Sequence, residues 1–175
     1  DVFIQNNTQI NHGADGNSAT PNFPKLAGQG ERYLVKQISD IKAGLRPVVE
    51  MTGMTDALSE QDIADIAAFY SSQPATTGKA SADNIEYGQK LYRAGNPAKG
   101  IPSCAGCHAP DGSGNVPAGY PALAGQHATY TENSLVKFRS GERAYDANSN
   151  IMRDIAYNLS DVEIKALANY ISGLY

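Results

Sequence analysis

No apolar run in this chain of 175 residues is long enough to span a bilayer, so no membrane-crossing helix is expected. No cluster of basic residues appears, and the net charge is -4, which argues against nucleic acid as a partner. Cysteine is scarce: only two occur, and two residues separate them, so they cannot staple a disulfide scaffold. Their purpose must be local. No alternating apolar and polar stretch of useful length marks a strand, and the expected fold is therefore all-α. No targeting segment is visible either. A start at Asp1 suits a mature, exported form from which a signal has been cleaved.

What the chain does contain is one design written twice. "NTQINHGADGNSATPNFPKLAGQ", from Asn7, is matched by "SCAGCHAPDGSGNVPAGYPALAGQ", from Ser103. His12 maps to His108, "LAGQ" at Leu26 recurs at Leu123, and "KAGLR" at Lys42 matches "RSGER" at Arg139. "LSEQDIADIAAFYSS" from Leu58 likewise pairs with "LSDVEIKALANYISG" from Leu159. Four blocks in the same order indicate two homologous domains. They are expected at residues 1–73 and 84–175, joined by residues 74–83, whose small and polar composition describes a flexible linker.

Within the first half, Tyr33, Leu34, Ile38 and Ile41 recur at helical spacing and stop at Gly44. Ser59 with Asp62 predicts a capping box, placing Ile63, Ile66, Ala67 and Tyr70 on one helical face. Ser160 and Glu163 repeat that box ahead of Ile164, Leu167, Ala168 and Ile171. An opening helix is expected over Asn84–Ala94, whereas its counterpart in the first half is cut short to "DVFIQNN". Domains of this size, with so much loop, bury little apolar surface alone. A large apolar cofactor would complete each core.

Cys104-Ala105-Gly106-Cys107-His108 is a C-x-x-C-H sequence, which reads as covalent haem attachment. Two thiols on one helical turn can each join a vinyl group of the same porphyrin, and the histidine that follows is held beneath the iron. A zinc half-site and a redox dithiol are the alternatives. Zinc needs four ligands, and the chain has two sulfurs and three histidines with no second ligand pair at suitable spacing. A dithiol of the thioredoxin type needs a βαβ setting that is absent. For the sixth position on iron, Met152 is the one methionine of the second half, expected in a loop among polar neighbours and outside the helical stripe. A thioether opposite histidine raises the reduction potential and leaves no site open for substrate. His127 is expected at the surface.

These residues resemble the dihaem cytochrome c4 family, whose members carry two class I cytochrome c domains with a CxxCH in each. The likeness rests on the haem motif, the two "P-x-LAGQ" segments and the two "LS-x-x-[DE]-I" helices. It implies periplasmic electron carriage, His/Met coordination, and haem edges that face each other across a domain interface. By the same resemblance, the carbonyls of Pro121 and Pro24 accept hydrogen bonds from His108 and His12.

The first half departs from that pattern. It reads Thr8-Gln9-Ile10-Asn11-His12, so no thioether bond can form there. Yet His12, the "GADGNS" loop, Pro24 and Met51, which maps onto Met152, persist. Met54 reads as core. Three arrangements stay open: a haem held without covalent bonds by His12 and Met51, an empty structural domain, or residues at positions 8 and 11 that are engineered or misassigned. An unfilled pocket would invite bulky replacements, and the segment stays glycine-rich, so a second haem is expected with its attachment undetermined.

The expected function is electron transfer through c-type haem between redox proteins, such as a donor and a membrane oxidase. An alternative is the cytochrome subunit of a dehydrogenase, or a haem enzyme or sensor with an open position in the first half.

Overall fold

The computed structural model describes residues 9–144 and 150–175, so Thr8 and the shortened opening segment of the first half lie outside the described residues. Eight α-helices are described. In chain order they are α1 (Gln9–His12), α2 (Glu31–Lys42), α3 (Glu60–Ser71), α4 (Ile85–Ala94), α5 (Ala105–His108), α6 (Ala128–Ser140), α7 (Ile151–Tyr157) and α8 (Asp161–Ser172). Short 3₁₀ turns cover Val49–Met51 and Pro97–Lys99. Among the described residues, β-pairing is confined to two isolated bridges, Asn96 with Ile101 and Asn115 with Tyr120. None of the described helices is long and apolar enough to cross a membrane.

Both closing helices begin as their sequences predict. The Ser59 hydroxyl accepts from Asp62 N–H while the Asp62 carboxylate accepts from Ser59 N–H, and Ser160 and Glu163 do the same at α8. Each box satisfies two of the backbone donors that a helix start leaves without partners. Glu163 carries a second role. It is buried at 3% exposure and also pairs with Lys99. Burial raises its pKa, but the Lys99 ammonium and the Ser160 donors outweigh burial and bring it to about 2, from 4.5.

A carboxyl depressed by folding adds stability above its unfolded value, and that stability is lost as pH falls through the folded one. Glu163→Gln is therefore expected to lower stability at neutral pH by roughly 2–3 kcal/mol. The deficit relative to the parent should shrink between about pH 4.5 and 2, measured by urea unfolding across that range. A constant deficit would show that the carboxylate charge is irrelevant.

Helix packing follows the repeat: α2 lies on α3 in the first half, while α4 and α6 lie on α8, and α7 on α6, in the second. The crossing of α4 and α8 depends on Gly88. A Cβ there would sit 2.2 Å from the Ala166 carbonyl oxygen, so only a hydrogen at that position lets the backbones meet. The second-half core contains Leu91, Tyr92, Ile101, Leu135, Phe138, Leu159, Ile164, Leu167 and Ile171. Its first-half counterpart is Leu34, Ala67 and Tyr70, with Leu26, Val35 and Ile66 packed against it. That smaller cluster borders a cavity described below.

Three expectations need correction. Met152 lies in the first turn of α7, not in a loop; α7 is only seven residues long and is held by packing on α6 more than by its own polar sequence. His127 is not a free surface residue: it is half-buried at the start of α6, with Nε2 2.7 Å from the Ser18 carbonyl oxygen of the other half. Residues 74–83 read as flexible, yet they are strapped along both halves. Asn17 bonds to Pro74 and Thr76, Asn169 bonds to Ser81 and Asp83, and the Ser172 hydroxyl reaches Lys79 O.

Candidate functional site

In the second half, Cys104 leads into the single turn of α5, and His108 N–H donates to Cys104 O at 2.9 Å. The turn therefore sets both sulfurs and the imidazole within one helical repeat. His108 is buried at 6%, and both cysteines are partly buried. Burial pushes the Cys104 thiol up to about 11, so the free thiolate that attacks disulfides is disfavoured at neutral pH. Cys104, Leu123 and Met152 all pack against the same apolar cluster, so the motif and the methionine border one core.

The chain leaves this motif through Ala109, at φ +67°, a left-handed conformation that strains any residue with a Cβ. Tyr92, fully buried on α4, donates its hydroxyl to Ala109 O at 2.7 Å and holds the turn. In the first half the equivalent residue is Gly13, at φ +77°, where the conformation comes without strain.

Both histidines meet a proline carbonyl. His108 Nδ1 lies 2.9 Å from Pro121 O, and His12 Nδ1 lies 3.0 Å from Pro24 O. A carbonyl can only accept, so Nδ1 carries the proton in each ring and Nε2 keeps its lone pair, the form a metal ligand needs. Burial pulls His12 below the ordinary imidazole range, the Pro24 carbonyl opposes it, and the Arg46 guanidinium adds to the lowering. His12 is thereby held neutral.

The first-half histidine opens onto a cavity of about 370 Å³, within the range of small-molecule and cofactor pockets. Its lining includes Asn11, His12, Leu34, Ile38, Ile41 and Met51, so the two mapped ligand positions border one space. Met54, partly buried, is not among the lining residues. Among the described residues, two lining groups lack partners: the buried Arg46 Nε and Tyr70 hydroxyl find no hydrogen bond. A chamber walled on one side by Leu26, Leu34, Ile38, Ile41 and Met51 and on the other by polar side chains, with an Arg46 N–H that finds no partner among the described residues, fits a flat apolar group bearing carboxylates, as haem does. Among the described residues, no three His, Cys, Asp or Glu side chains gather as a metal-binding group.

Arg46 donates to Tyr130 of the second half at 3.0 Å, and Arg143 donates to Tyr33 of the first at 2.9 Å, two contacts related by the repeat. Gln37 accepts from both arginines. Burial raises the Tyr130 phenol, but Arg46 and Arg143 outweigh it and bring it down to about 8. None of this cluster was singled out from the sequence, although both arginines sit in the repeated "KAGLR" and "RSGER" blocks.

The cytochrome c family model matches residues 85–174. Cytochrome c4 of Azotobacter vinelandii is 54% identical over 173 residues, covering 94% of this chain and 82% of that protein. The crystal structure of reduced recombinant cytochrome c4 from Pseudomonas stutzeri superposes with a TM-score of 0.94 at 52% identity, covering 96% of this chain and 93% of that one. A thiosulfate dehydrogenase electron acceptor of Stutzerimonas stutzeri is 36% identical over 169 residues, covering 93% and 76%.

Proposed function

The chain belongs to the cytochrome c4 family of c-type haem electron carriers, and from that premise we propose a periplasmic shuttle with one haem site in each half. The protein is an electron-transfer protein, not an enzyme. In this reading residues 1–73 and 84–175 are the two cytochrome domains and residues 74–83 join them. Cys104 and Cys107 would bond the second-half haem, and His108 and Met152 would ligate its iron. His12 and Met51 would hold a haem in the first half without a thioether bond.

The observation that carries the reading is the matched pair of Nδ1 to carbonyl contacts, His108 to Pro121 and His12 to Pro24. Haem supplies the one-electron change of iron between its two oxidation states. The residues of this chain supply the rest. The prolines fix the tautomer and ring plane of each histidine, and Met152 and Met51 would occupy the position where a substrate would otherwise bind. Little rearrangement then accompanies electron transfer. Partners are redox proteins met through weak contacts of small area. Relatives named as electron acceptors of thiosulfate dehydrogenase suggest a sulfur-oxidising enzyme as one class of donor.

Reduced protein exposed to carbon monoxide is expected to keep its spectrum at the second-half site, while a redox titration reads a reversible one-electron change there. Rapid stoichiometric binding of the gas at that site would overturn the carrier reading in favour of an open, reactive haem.

A further inference from the structure

The peptide that joins Pro121 to Ala122 is bonded on both of its sides. Its carbonyl accepts from His108 Nδ1, and its N–H donates to Gln29 Oε1 at 2.8 Å. Gln29 Nε2 returns a bond to Ala122 O at 3.0 Å, so the carboxamide clasps this stretch from both ends. The first half shows the same arrangement. Lys25 N–H donates to Gln126 Oε1 at 3.0 Å, Gln126 Nε2 donates to Lys25 O at 3.0 Å, and the carbonyl of the Pro24–Lys25 peptide accepts from His12. Each glutamine therefore reaches the histidine of the opposite half.

The side chains are locked in this role. Gln29 and Gln126 are 6% and 7% exposed. Their Oε1 atoms also accept from Gly30 N–H at 2.9 Å and His127 N–H at 3.1 Å. Two N–H groups converge on each oxygen, so a flipped amide would set donor against donor.

We propose that Gln29 and Gln126 are positioning residues that tune the haem of the other half, through the peptide between the proline and the next residue. The proposal rests on His108 and His12 being iron ligands. A bond accepted from a peptide N–H polarises that peptide and strengthens its carbonyl as an acceptor. The stronger Nδ1–H bond makes the imidazole a better donor at Nε2, which favours oxidised iron. Loss of the glutamine relaxes the chain of bonds and favours reduced iron. Each half thus sets part of the potential of its neighbour, with no haem-to-haem contact required.

The test uses the full haem-loaded chain with Gln29→Leu, which keeps bulk and removes both hydrogen-bonding atoms. The potential of the second-half haem should move upward. The ¹⁵N-labelled His108 Nδ1–H resonance of the reduced protein should move upfield, as its hydrogen bond weakens. Gln29→Glu, studied with its carboxyl ionised, keeps an oxygen facing Ala122 N–H and should bring both signals back towards the parent. Arg32→Ala breaks a different contact between the halves, to Pro117 O, and should leave both in place. Unchanged signals in a folded Gln29→Leu protein would overturn the proposal, as would equal shifts in Arg32→Ala. A parent protein with no haem-shifted His108 ring signal would instead remove the ligand assignment itself.

Discussion

Met152→Ala is expected to lower the reduction potential of the second-half haem by on the order of 0.2 V, well inside the roughly 0.8 V that axial ligands span. At about 59 mV per tenfold for one electron, that is a shift of more than a thousandfold in the ratio of reduced to oxidised protein. The cause is the ligand chemistry. A thioether favours reduced iron, whereas the water that would replace it favours oxidised iron. The opened position should also let the reduced variant bind carbon monoxide, which the parent is expected not to do.

Met152 packs against the second-half core, so its truncation also costs stability, roughly 2–5 kcal/mol for a well-packed methionine. Met152→Leu separates the two effects, since it keeps most of the volume and removes the sulfur. Spectroelectrochemical titration of both variants is the measurement. If the potential and the visible spectrum survived in Met152→Leu, the ligand would lie elsewhere.

A haem count before and after acid–acetone extraction should find two haems per native chain and one that stays with the denatured polypeptide. On the proposed reading the retained haem is the one joined to Cys104 and Cys107; the other would have no cysteine to hold it, because Asn11 stands where the second sulfur would be. Asn11 lines the first-half cavity, so a sulfur at that position would face the cofactor. Replacing Thr8 and Asn11 together by cysteine, in cells that attach haem, should make both haems resist extraction. A native count of one would mean that the cavity of about 370 Å³ stands without haem. A retained count of two would point to another covalent bond in the first half.

The two sites were not equally legible. CxxCH is a local motif whose chemistry follows from spacing, so a second-half haem site could be proposed from it directly. The first-half site was visible only through the repeat, because His12 and Met51 mean little apart from their alignment with His108 and Met152. Helix α6 passed unnoticed, since its buried face is Thr131, Leu135 and Phe138, and a threonine in a core position blurs the apolar period. Helix α7 was lost among the polar neighbours of Met152 for a similar reason.

By itself, the order of residues determined the repeat, the helical class, both capping boxes and the cysteine-histidine turn, because each depends on neighbours within a few positions. Tertiary structure alone decided that the glutamines of "LAGQ" cross between halves, that His127 reaches Ser18, and that Arg46 and Arg143 each find the other half's tyrosine. Those contacts join residues 84 to 110 positions apart, where no periodicity or cap can register. They form only when two copies of one fold meet face to face and their buried polar groups must be satisfied by each other.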